Sequence, residues 1–311
     1  MNKIPVWMDC DTGVDDAVAL LLASASDELD LLAASAVCGN TPQDKAYRNT
    51  RCVLALAGHK IPVYRGAKKP LFKELQISTA FHGENGLGDA FLPECEDYPE
   101  VQEAMWDALY ACALSQPHEL RLVATGPLTN VATAFIKYPD LPKLLHSLCV
   151  MGGSTGPGNI VPAAEFNIFV DPQAAEVVFR SGVRLTMFGL DVTLQVLLTP
   201  QDMAELAASG TKTGRFVCES TARALISSRR YGIEGVSMHD SCPVMYLAHP
   251  ELFSGEEAGV VVETRGTITN GKTVTDLYSD KQFPFKNATV MLHAENREII
   301  RILKERLIRF G

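Results

Sequence analysis

Apolar segments of two kinds alternate along the first two thirds of the chain. Short apolar runs are typical of strands, and longer stretches in which apolar residues recur at helical spacing are typical of helices. The short runs predict strands at residues 4–10, 29–38, 61–64, 120–125, 148–151 and 184–189. The longer stretches predict helices at residues 15–25, 42–57, 101–115, 127–138 and 172–181. This alternation indicates a parallel sheet covered by helices.

The last third of the chain has a different pattern. Helical stretches at 201–208, 214–228 and 242–248 lead into the segment "GVVVETRGTITNGKTVTDLY", in which Asn270-Gly271 between β-branched runs predicts a hairpin. A strand at 289–293 and an amphipathic helix at 297–308 follow. Because no repeat, low-complexity linker or charge block interrupts residues 1–311, we expect one α/β domain. Its mostly parallel open sheet is flanked by helices and carries an added C-terminal antiparallel hairpin.

Composition narrows the class of protein. The chain is 47% hydrophobic and has a formal net charge of -9, which argues against binding to nucleic acid, because phosphate backbones are bound by basic surfaces. No apolar run approaches the roughly 20 residues that cross a bilayer, and the amino end lacks the pattern of a signal peptide. We therefore expect a cytoplasmic enzyme that acts on a small molecule, without a nucleic acid or membrane partner.

The chain contains eight cysteines, and none of them forms a CxxC pair. Most of them lie inside apolar segments, where cysteine behaves as a small buried hydrophobic residue. We therefore expect buried free thiols instead of zinc ligands or disulfides.

Polar, glycine-containing stretches follow four of the predicted strands. In open α/β sheets, ligands bind outside the carboxyl ends of the strands, so these stretches should meet at one edge of the sheet. The four stretches are "DCDTGVDD" at 9–16, "CGN" at 38–40, "ATGPLTN" at 124–130 and "MGGSTGPGN" at 151–159.

Four aspartates, Asp9, Asp11, Asp15 and Asp16, crowd into the first of these stretches. A helix dipole would favour negative charge at Asp15 and Asp16, which begin a predicted helix, but it does not explain Asp9 and Asp11. Like charges this close repel one another, and a divalent cation would remove that cost. An all-oxygen cluster without a neighbouring His or Cys favours Ca²⁺ or Mg²⁺ over zinc.

One alternative interpretation starts from the same aspartates. The segment from Asp9 to Gly13 fits a loose DxDxT pattern of haloacid dehalogenase-type phosphatases, in which the first aspartate is the nucleophile. Such an enzyme would also need a later lysine and a paired acidic motif. The nearest late segment, "GLDVT" at 189–193, contains a single acid.

Further motifs in order along the chain give a more specific indication. After "DCDTGVDD", which matches DxDxGxDD, come "ATGPLTN", "MGGSTGPGN", "AEFNIFVDPQAA" at 164–175 and "MHD" at 238–240. With this series the chain resembles the nucleoside hydrolases, calcium-dependent N-ribohydrolases that cleave ribonucleosides into ribose and free base. Thr12 departs from the proline that is usual in the family, but it lies in a turn and is not a ligand position.

The resemblance implies a set of site residues. Calcium would be bound by the carboxylates of Asp11, Asp16 and Asp240 and by the backbone carbonyl of Thr125, and Asp11 would be the general base that activates a metal-bound water. The residues implied to contact the ribose are Asp15, Asn40, Met151, Asn159, Glu165 and Asn167. The resemblance also implies a homodimer or homotetramer.

Two histidines are candidates for the base side of the pocket. His239 adjoins Asp240, and the pKa of histidine suits it to donate a proton to the leaving base. His82 and Tyr231 are predicted to contact the base, which resembles the pyrimidine-accepting branch and indicates uridine and cytidine, with inosine as a further substrate. Both lie in glycine-bearing stretches that are expected to close over the substrate. A non-catalytic ribose or nucleoside sensor is the remaining alternative, although it would need neither Asp11 as a base nor His239 as an acid.

Overall fold

The computed structural model describes residues 3–91, 95, 97–278 and 282–310. Its strands are β1 (Ile4–Cys10), β2 (Leu29–Ala36), β3 (Val63–Arg65), β4 (Arg121–Ala124), β5 (Ser147–Met151), β6 (Leu185–Phe188), β7 (Leu197–Leu198), β8 (Val236–Ser237), β9 (Phe253–Val262), β10 (Thr273–Asp276) and β11 (Ala288–Ala294). Its helices are α1 (Val14–Ala25), α2 (Gln43–Leu56), α3 (Thr79–His82), α4 (Met105–Ser115), α5 (Thr129–Lys137), α6 (Leu141–Leu144), α7 (Phe166–Val170), α8 (Pro172–Phe179), α9 (Leu190–Thr193), α10 (Pro200–Ala208), α11 (Lys212–Arg229), α12 (Ser241–Ala248) and α13 (Asn296–Leu307). None of the helices within these residues is long and apolar enough to span a bilayer.

One sheet runs through the molecule. Its strand order is β10-β9-β11-β6-β5-β4-β1-β2-β3. The seven strands from β11 to β3 are parallel, whereas β9 is antiparallel to β11 and β10 is antiparallel to β9. Strands β7 and β8 form a separate antiparallel pair. The predicted fold class, a mostly parallel sheet with helices and an added antiparallel hairpin, is therefore confirmed.

The helices cover both faces of the sheet. Successive side chains of a strand point to opposite faces, and β1 shows this directly. Met8 packs in an apolar cluster with residues of α1, α2, α12 and α13, whereas Trp7 packs in a second cluster with residues of α4, α5 and α8. The central strands are buried on both faces, and this explains why they are continuous apolar runs in the sequence.

The C-terminal hairpin is longer at its tip than the sequence suggests. Strand β9 pairs with β10 from Val262 opposite Thr273, so residues 263–272 form the connection in place of a two-residue turn at Asn270-Gly271. Gly271 adopts a φ of +84°, a conformation that favours glycine, and its N–H donates to the carbonyl of Glu263. The Glu263 carboxylate accepts hydrogen bonds from the N–H groups of Arg265 and Gly266, which closes a larger loop than two residues allow.

The expectation of free thiols throughout is wrong at one pair of cysteines. Cys52 in α2 and Cys95 form a disulfide, with their Cα atoms 5.0 Å apart. They lie 43 residues apart in sequence, so no local spacing predicts the pair. Cys10, Cys38, Cys149 and Cys242 are free and buried, as expected, and Cys112 and Cys218 are free and partly exposed.

Candidate active site

The loops after β1 and β2 are joined at the carboxyl edge of the sheet by Asn40. Its backbone N–H donates to Asp11 Oδ2 at 2.6 Å. Its side-chain amide lies 3.1 Å from Asp11 Oδ1 and 3.3 Å from Asp16 Oδ2. Asn40 therefore bridges two of the aspartates of the first motif.

Three other contacts bring distant motifs to the same place. The hydroxyl of Thr125, after β4, donates to Asp16 Oδ1 at 2.7 Å. The side-chain amide of Asn167, in α7, donates to the carbonyl oxygens of Thr125 at 2.8 Å and Met151 at 3.1 Å. The predicted convergence of loops follows from the parallel topology, because the carboxyl ends of neighbouring parallel strands lie along one edge.

A cluster of three carboxylates, Asp15, Asp16 and Asp240, lies at the centre of this region. Each offers an oxygen within 4.8 Å of the others, and all three residues are buried. The Oδ1 atom of Asp15 is buried and has no hydrogen-bond partner among the described residues. We call these three residues the acidic triad.

The electrostatics of the triad favour a cation. Burial, followed by the charge of Asp16, raises the pKa of Asp15 to about 7. Burial together with the neighbouring aspartates also raises the pKa of Asp240 and of Asp11 well above the usual range. A hard divalent cation would stabilise all of these carboxylates in their ionised form, and oxygen-only ligands suit such an ion. The residues present therefore fit a metal site.

The triad differs in one member from the ligand set expected from the resemblance. Asp16 and Asp240 belong to both, but the structure groups them with Asp15, which the resemblance places on the ribose. Asp11 lies beside the triad, and Asn40 donates to both of its oxygens.

Asp9 does not belong to the cation cluster. Its Oδ1 accepts hydrogen bonds from Ser35 Oγ at 2.5 Å and from Asn130 Nδ2 at 2.7 Å. From the sequence, a bound cation is expected to explain the presence of Asp9. The structure explains it instead by these two hydrogen bonds. Burial raises the pKa of Asp9 to about 7 despite these two hydrogen bonds.

Glu165 and Asn167 form a polar wall next to Thr125. Glu165 caps α7: its carboxylate accepts N–H hydrogen bonds from Gly153 at 2.9 Å, Asn167 at 2.9 Å and Ile168 at 3.2 Å. Burial raises the pKa of Glu165 to about 7 despite these donors. Because both residues begin the same helix, their side chains are held in one orientation relative to the sheet edge.

Asn159 lies in the loop of residues 152–160 and faces the start of α7. Its Oδ1 accepts a hydrogen bond from the N–H of Phe166 at 2.9 Å. The hairpin tip supports this loop, because Lys272 donates to the carbonyl of Ser154 at 3.0 Å and also to that of Gly156. These supporting residues were not foreseen, since no local pattern links positions more than 100 residues apart.

The two histidines are held by different kinds of hydrogen-bonding group. His82 Nδ1 accepts a hydrogen bond from the backbone N–H of Val14 at 3.1 Å. His239 Nδ1 lies 2.7 Å from the hydroxyl of Thr193. Burial, and secondarily the charge of His239, lowers the pKa of His82 to about 3, and burial lowers that of His239 to about 4. Both rings are therefore neutral at neutral pH.

Tyr231 is largely exposed. It follows α11 in a turn and is 84% exposed, so its side chain is not packed against the triad or the polar wall. Its predicted contact with the base stays a prediction that depends on movement of this turn.

Comparisons with known proteins agree with the motif series. The family described as inosine-uridine preferring nucleoside hydrolase matches residues 6–301. The pyrimidine-specific ribonucleoside hydrolase RihA of Citrobacter koseri is 41% identical over 310 residues, which cover 98% of both chains. The solved structure of the plant nucleoside hydrolase PpNRh1 gives a TM-score of 0.92 at 30% identity and covers 99% of both chains. The purine-preferring ribonucleoside hydrolase from Gardnerella vaginalis gives 0.92 at 30% identity over 98% of both. The chain therefore belongs to the inosine-uridine preferring nucleoside hydrolases, enzymes that hydrolyse N-glycosidic bonds.

Proposed function

We propose that this protein is a Ca²⁺-dependent hydrolase that cleaves uridine and cytidine, and also inosine, into ribose and free base. The observation that carries the proposal is the buried acidic triad beside the polar wall of Glu165 and Asn167. The triad is suited to a hard cation, and the wall is suited to the hydroxyl groups of a sugar.

The calcium ligands in this proposal are the carboxylates of Asp11, Asp16 and Asp240 and the carbonyl of Thr125, with Asp15 next to them. When bound, calcium would supply Lewis acidity that lowers the pKa of a water and favours binding of the ribose diol. Asp11 accepts a proton from the attacking water, and the two hydrogen bonds from Asn40 hold its carboxylate in place. Because no covalent intermediate is needed, we expect inversion at the anomeric carbon.

Recognition of ribose falls to Asn40, Asn159, Glu165 and Asn167, with Asp15 and Met151 beside them. Glu165 and Asn167 are buried polar residues, and a sugar that lacks a matching hydroxyl would leave such groups unpaired. We therefore expect strong discrimination against 2′-deoxyribonucleosides, because loss of a hydroxyl in a site of this type costs orders of magnitude in kcat/KM.

His239 and His82 act on the base. Nδ1 of His82 accepts a hydrogen bond from the N–H of Val14. The neutral ring therefore carries its proton on Nε2 and donates from that nitrogen. His239 supplies the proton that the departing base requires. Because its ring is neutral at neutral pH in the free protein, this role requires that it takes up a proton when the nucleoside binds. Tyr231 covers the base when its turn closes. The relative named as pyrimidine-specific is 41% identical and the one named as purine-preferring is 30% identical, which favours pyrimidine ribonucleosides as substrates.

The phosphatase alternative is not supported. Asp9, the aspartate that it requires as nucleophile, is buried and accepts hydrogen bonds from Ser35 and Asn130. Asp191, the single acid of "GLDVT", is bound by the N–H and hydroxyl of Thr155 at 2.9 Å and 2.5 Å. Both carboxylates are therefore held by hydrogen bonds to neighbouring side chains or backbone groups.

The test is release of free base from uridine, cytidine, inosine, adenosine and 2′-deoxyuridine, followed by chromatography with and without a calcium chelator. We expect chelator-sensitive hydrolysis of the ribonucleosides, fastest for uridine and cytidine, and restoration by Ca²⁺. Full restoration by Mg²⁺ alone would contradict the calcium assignment. Binding of ribonucleosides without any hydrolysis would favour the sensor alternative.

We also propose a homodimer or homotetramer, in line with the family resemblance. Light scattering coupled to size-exclusion chromatography measures the mass directly. A mass of one chain, 33.8 kDa, would contradict this proposal.

A further inference from the structure

The segment "GLDVT" at 189–193 has no part in the mechanism described so far, although it lies at the carboxyl end of β6. The N–H of Leu190 donates to the carbonyl of Gly153 at 2.9 Å, which ties α9 to the loop that carries Asn159. Asp191 holds Thr155 of the same loop. Thr193, at the end of α9, contacts His239 through its hydroxyl.

Thr193 is fixed in position by its own surroundings. Its side chain is fully buried, its N–H donates to the carbonyl of Gly189 at 3.1 Å, and its carbonyl accepts from Val196. The hydroxyl 2.7 Å from Nδ1 of His239 therefore belongs to a rigid turn that continues directly from the sheet.

We propose that Thr193 is the positioning residue of His239, a role that rests on the proposed hydrolase function. The hydroxyl engages Nδ1 and sets the plane of the ring. The other nitrogen, Nε2, has no hydrogen-bond partner among the described residues, so it is left for the base of a bound nucleoside. A hydroxyl can donate or accept, whereas the backbone N–H that holds His82 can only donate. The Thr193 contact therefore persists in either tautomer of His239, and the Val14 contact allows one tautomer of His82.

Two substrates whose leaving groups differ in their need for a proton distinguish a positioning role of Thr193 from a purely structural role. Uracil needs a proton or a hydrogen bond as it departs, whereas p-nitrophenolate leaves without one. Thr193→Val keeps the size of the side chain and removes the hydroxyl, and Thr193→Ser keeps the hydroxyl. The experiment measures kcat and KM on uridine and on p-nitrophenyl riboside with the full-length, calcium-loaded enzyme.

We expect Thr193→Val to lower kcat on uridine by about 10- to 100-fold, part of the range for a general acid, while kcat on p-nitrophenyl riboside changes by less than about threefold. Thr193→Ser should restore uridine hydrolysis to within about threefold of wild type. Asp191→Asn is the matched control in the same helix: it weakens the hold of Asp191 on the loop of residues 152–160 and should affect both substrates alike.

Equal losses on both substrates in Thr193→Val, or no loss on uridine, would overturn the positioning role. If Thr193→Val does not fold, as judged by circular dichroism, Thr193→Ala compared with Thr193→Ser makes the same test. If the wild-type enzyme released neither uracil nor p-nitrophenol, the hydrolase function itself would be wrong, and the two failures would thus be distinguished.

Discussion

At the scale of single residues, the carboxylates near the triad differ because their hydrogen-bond partners differ. Asp9 is enclosed by Ser35 and Asn130, whereas Asp11 is held by Asn40 and Asp16 by Thr125. All three aspartates are buried, so they differ in their hydrogen-bond partners and not in their exposure to solvent. The same sequence motif thus contains an aspartate that links the side chains of Ser35 and Asn130 and others that lie at the acidic triad.

The role of Asp11 can be tested by Asp11→Ala. Removal of a general base typically costs a factor of 10² to 10⁴, and we expect a loss of at least about 1,000-fold in kcat on uridine. The metal-free protein should not melt at a lower temperature, because the change removes one charge from a cluster of like charges. Differential scanning calorimetry and initial rates measure both effects. Residual activity above about a tenth of wild type would contradict the role as general base.

His239→Ala tests the proton donor itself. We expect uridine hydrolysis to fall by about 100-fold or more, while p-nitrophenyl riboside is cleaved nearly as fast as by the wild type, because its leaving group needs no proton. Parallel assays on the two substrates provide the comparison. An equal loss on both would assign His239 to packing or to binding of the sugar.

At the scale of elements, the hairpin β9-β10 supports the loop of residues 152–160, which is more than 100 positions away in the sequence. Lys272 at its tip donates to Ser154 and Gly156, and the Thr273 hydroxyl donates to the carbonyl of Ser154 at 2.8 Å. The added antiparallel strands of the sheet therefore serve the site, although they carry none of the predicted site residues.

Lys272→Met should weaken this support. Each lost hydrogen bond of this kind is worth about 1 kcal/mol, so we expect KM for uridine to rise by about 3- to 10-fold with a smaller change in kcat. Steady-state kinetics measure the two constants. Lys286→Met, at a lysine whose ammonium group lies 3.6 Å from Glu257 on β9, is the matched control and should leave KM unchanged. A fall in kcat alone would show that the tip acts on chemistry and not on sugar binding.

The strands and helices also show which parts of the fold can be predicted from the sequence. The strands from β1 to β6 were predicted within a few residues because strands buried on both faces are visible as apolar runs. The helices α3, α6, α7 and α9 contain only four or five residues, which is too short for helical periodicity to be recognised. The contacts of Thr193 and Lys272 could not be predicted, because they join positions that only the folded sheet brings together.

For the candidate site, the sequence predicts which loops form the site, but it does not predict which side chains contact one another there. Asn40, Asn167 and Asp11 all lie at the carboxyl edge of the sheet. The parallel strand topology alone is therefore enough to predict that they lie close together. Tyr231 lies in a turn after α11, outside the parallel strands, so the order of strands in the sheet does not predict where its side chain lies. The grouping of Asp15 with Asp16 and Asp240 depends on how the start of α1 faces the loop before α12, which no local pattern specifies.

At the scale of the whole molecule, the buried carboxyls should make the stability of the metal-free protein depend on pH. The pKa values of Asp15 and Glu165 are raised to about 7 in the folded protein, above the unfolded values of 3.8 and 4.5. A carboxyl with a raised pKa contributes stability that is present below the unfolded value and is lost as the pH rises through the folded value. The free energy of unfolding should therefore fall between about pH 5 and pH 7.5. His82 and His239 act in the opposite direction up to about pH 6.5, because burial lowers their pKa values to about 3 and about 4. The buried carboxyls outnumber them, since the pKa values of Asp9, Asp11, Asp16 and Asp240 are raised as well. Glu28, whose pKa Arg306 lowers to about 2, acts only below this window.

Calcium should reverse this dependence, because it binds the ionised carboxylates of the folded protein and not the unfolded chain. We expect the melting temperature of the metal-free protein to drop by at least about 5 °C from about pH 5 to about pH 7.5. Added Ca²⁺ should raise it most at the higher pH, where the triad is ionised without competition from protons. Asp15→Asn should reduce both the pH dependence and the gain from Ca²⁺, whereas Asp27→Asn, at an exposed aspartate, should change neither. Calorimetry over this range measures all of these shifts, and an equal gain from Ca²⁺ at both ends of it would mean that the ion binds somewhere other than the acidic triad.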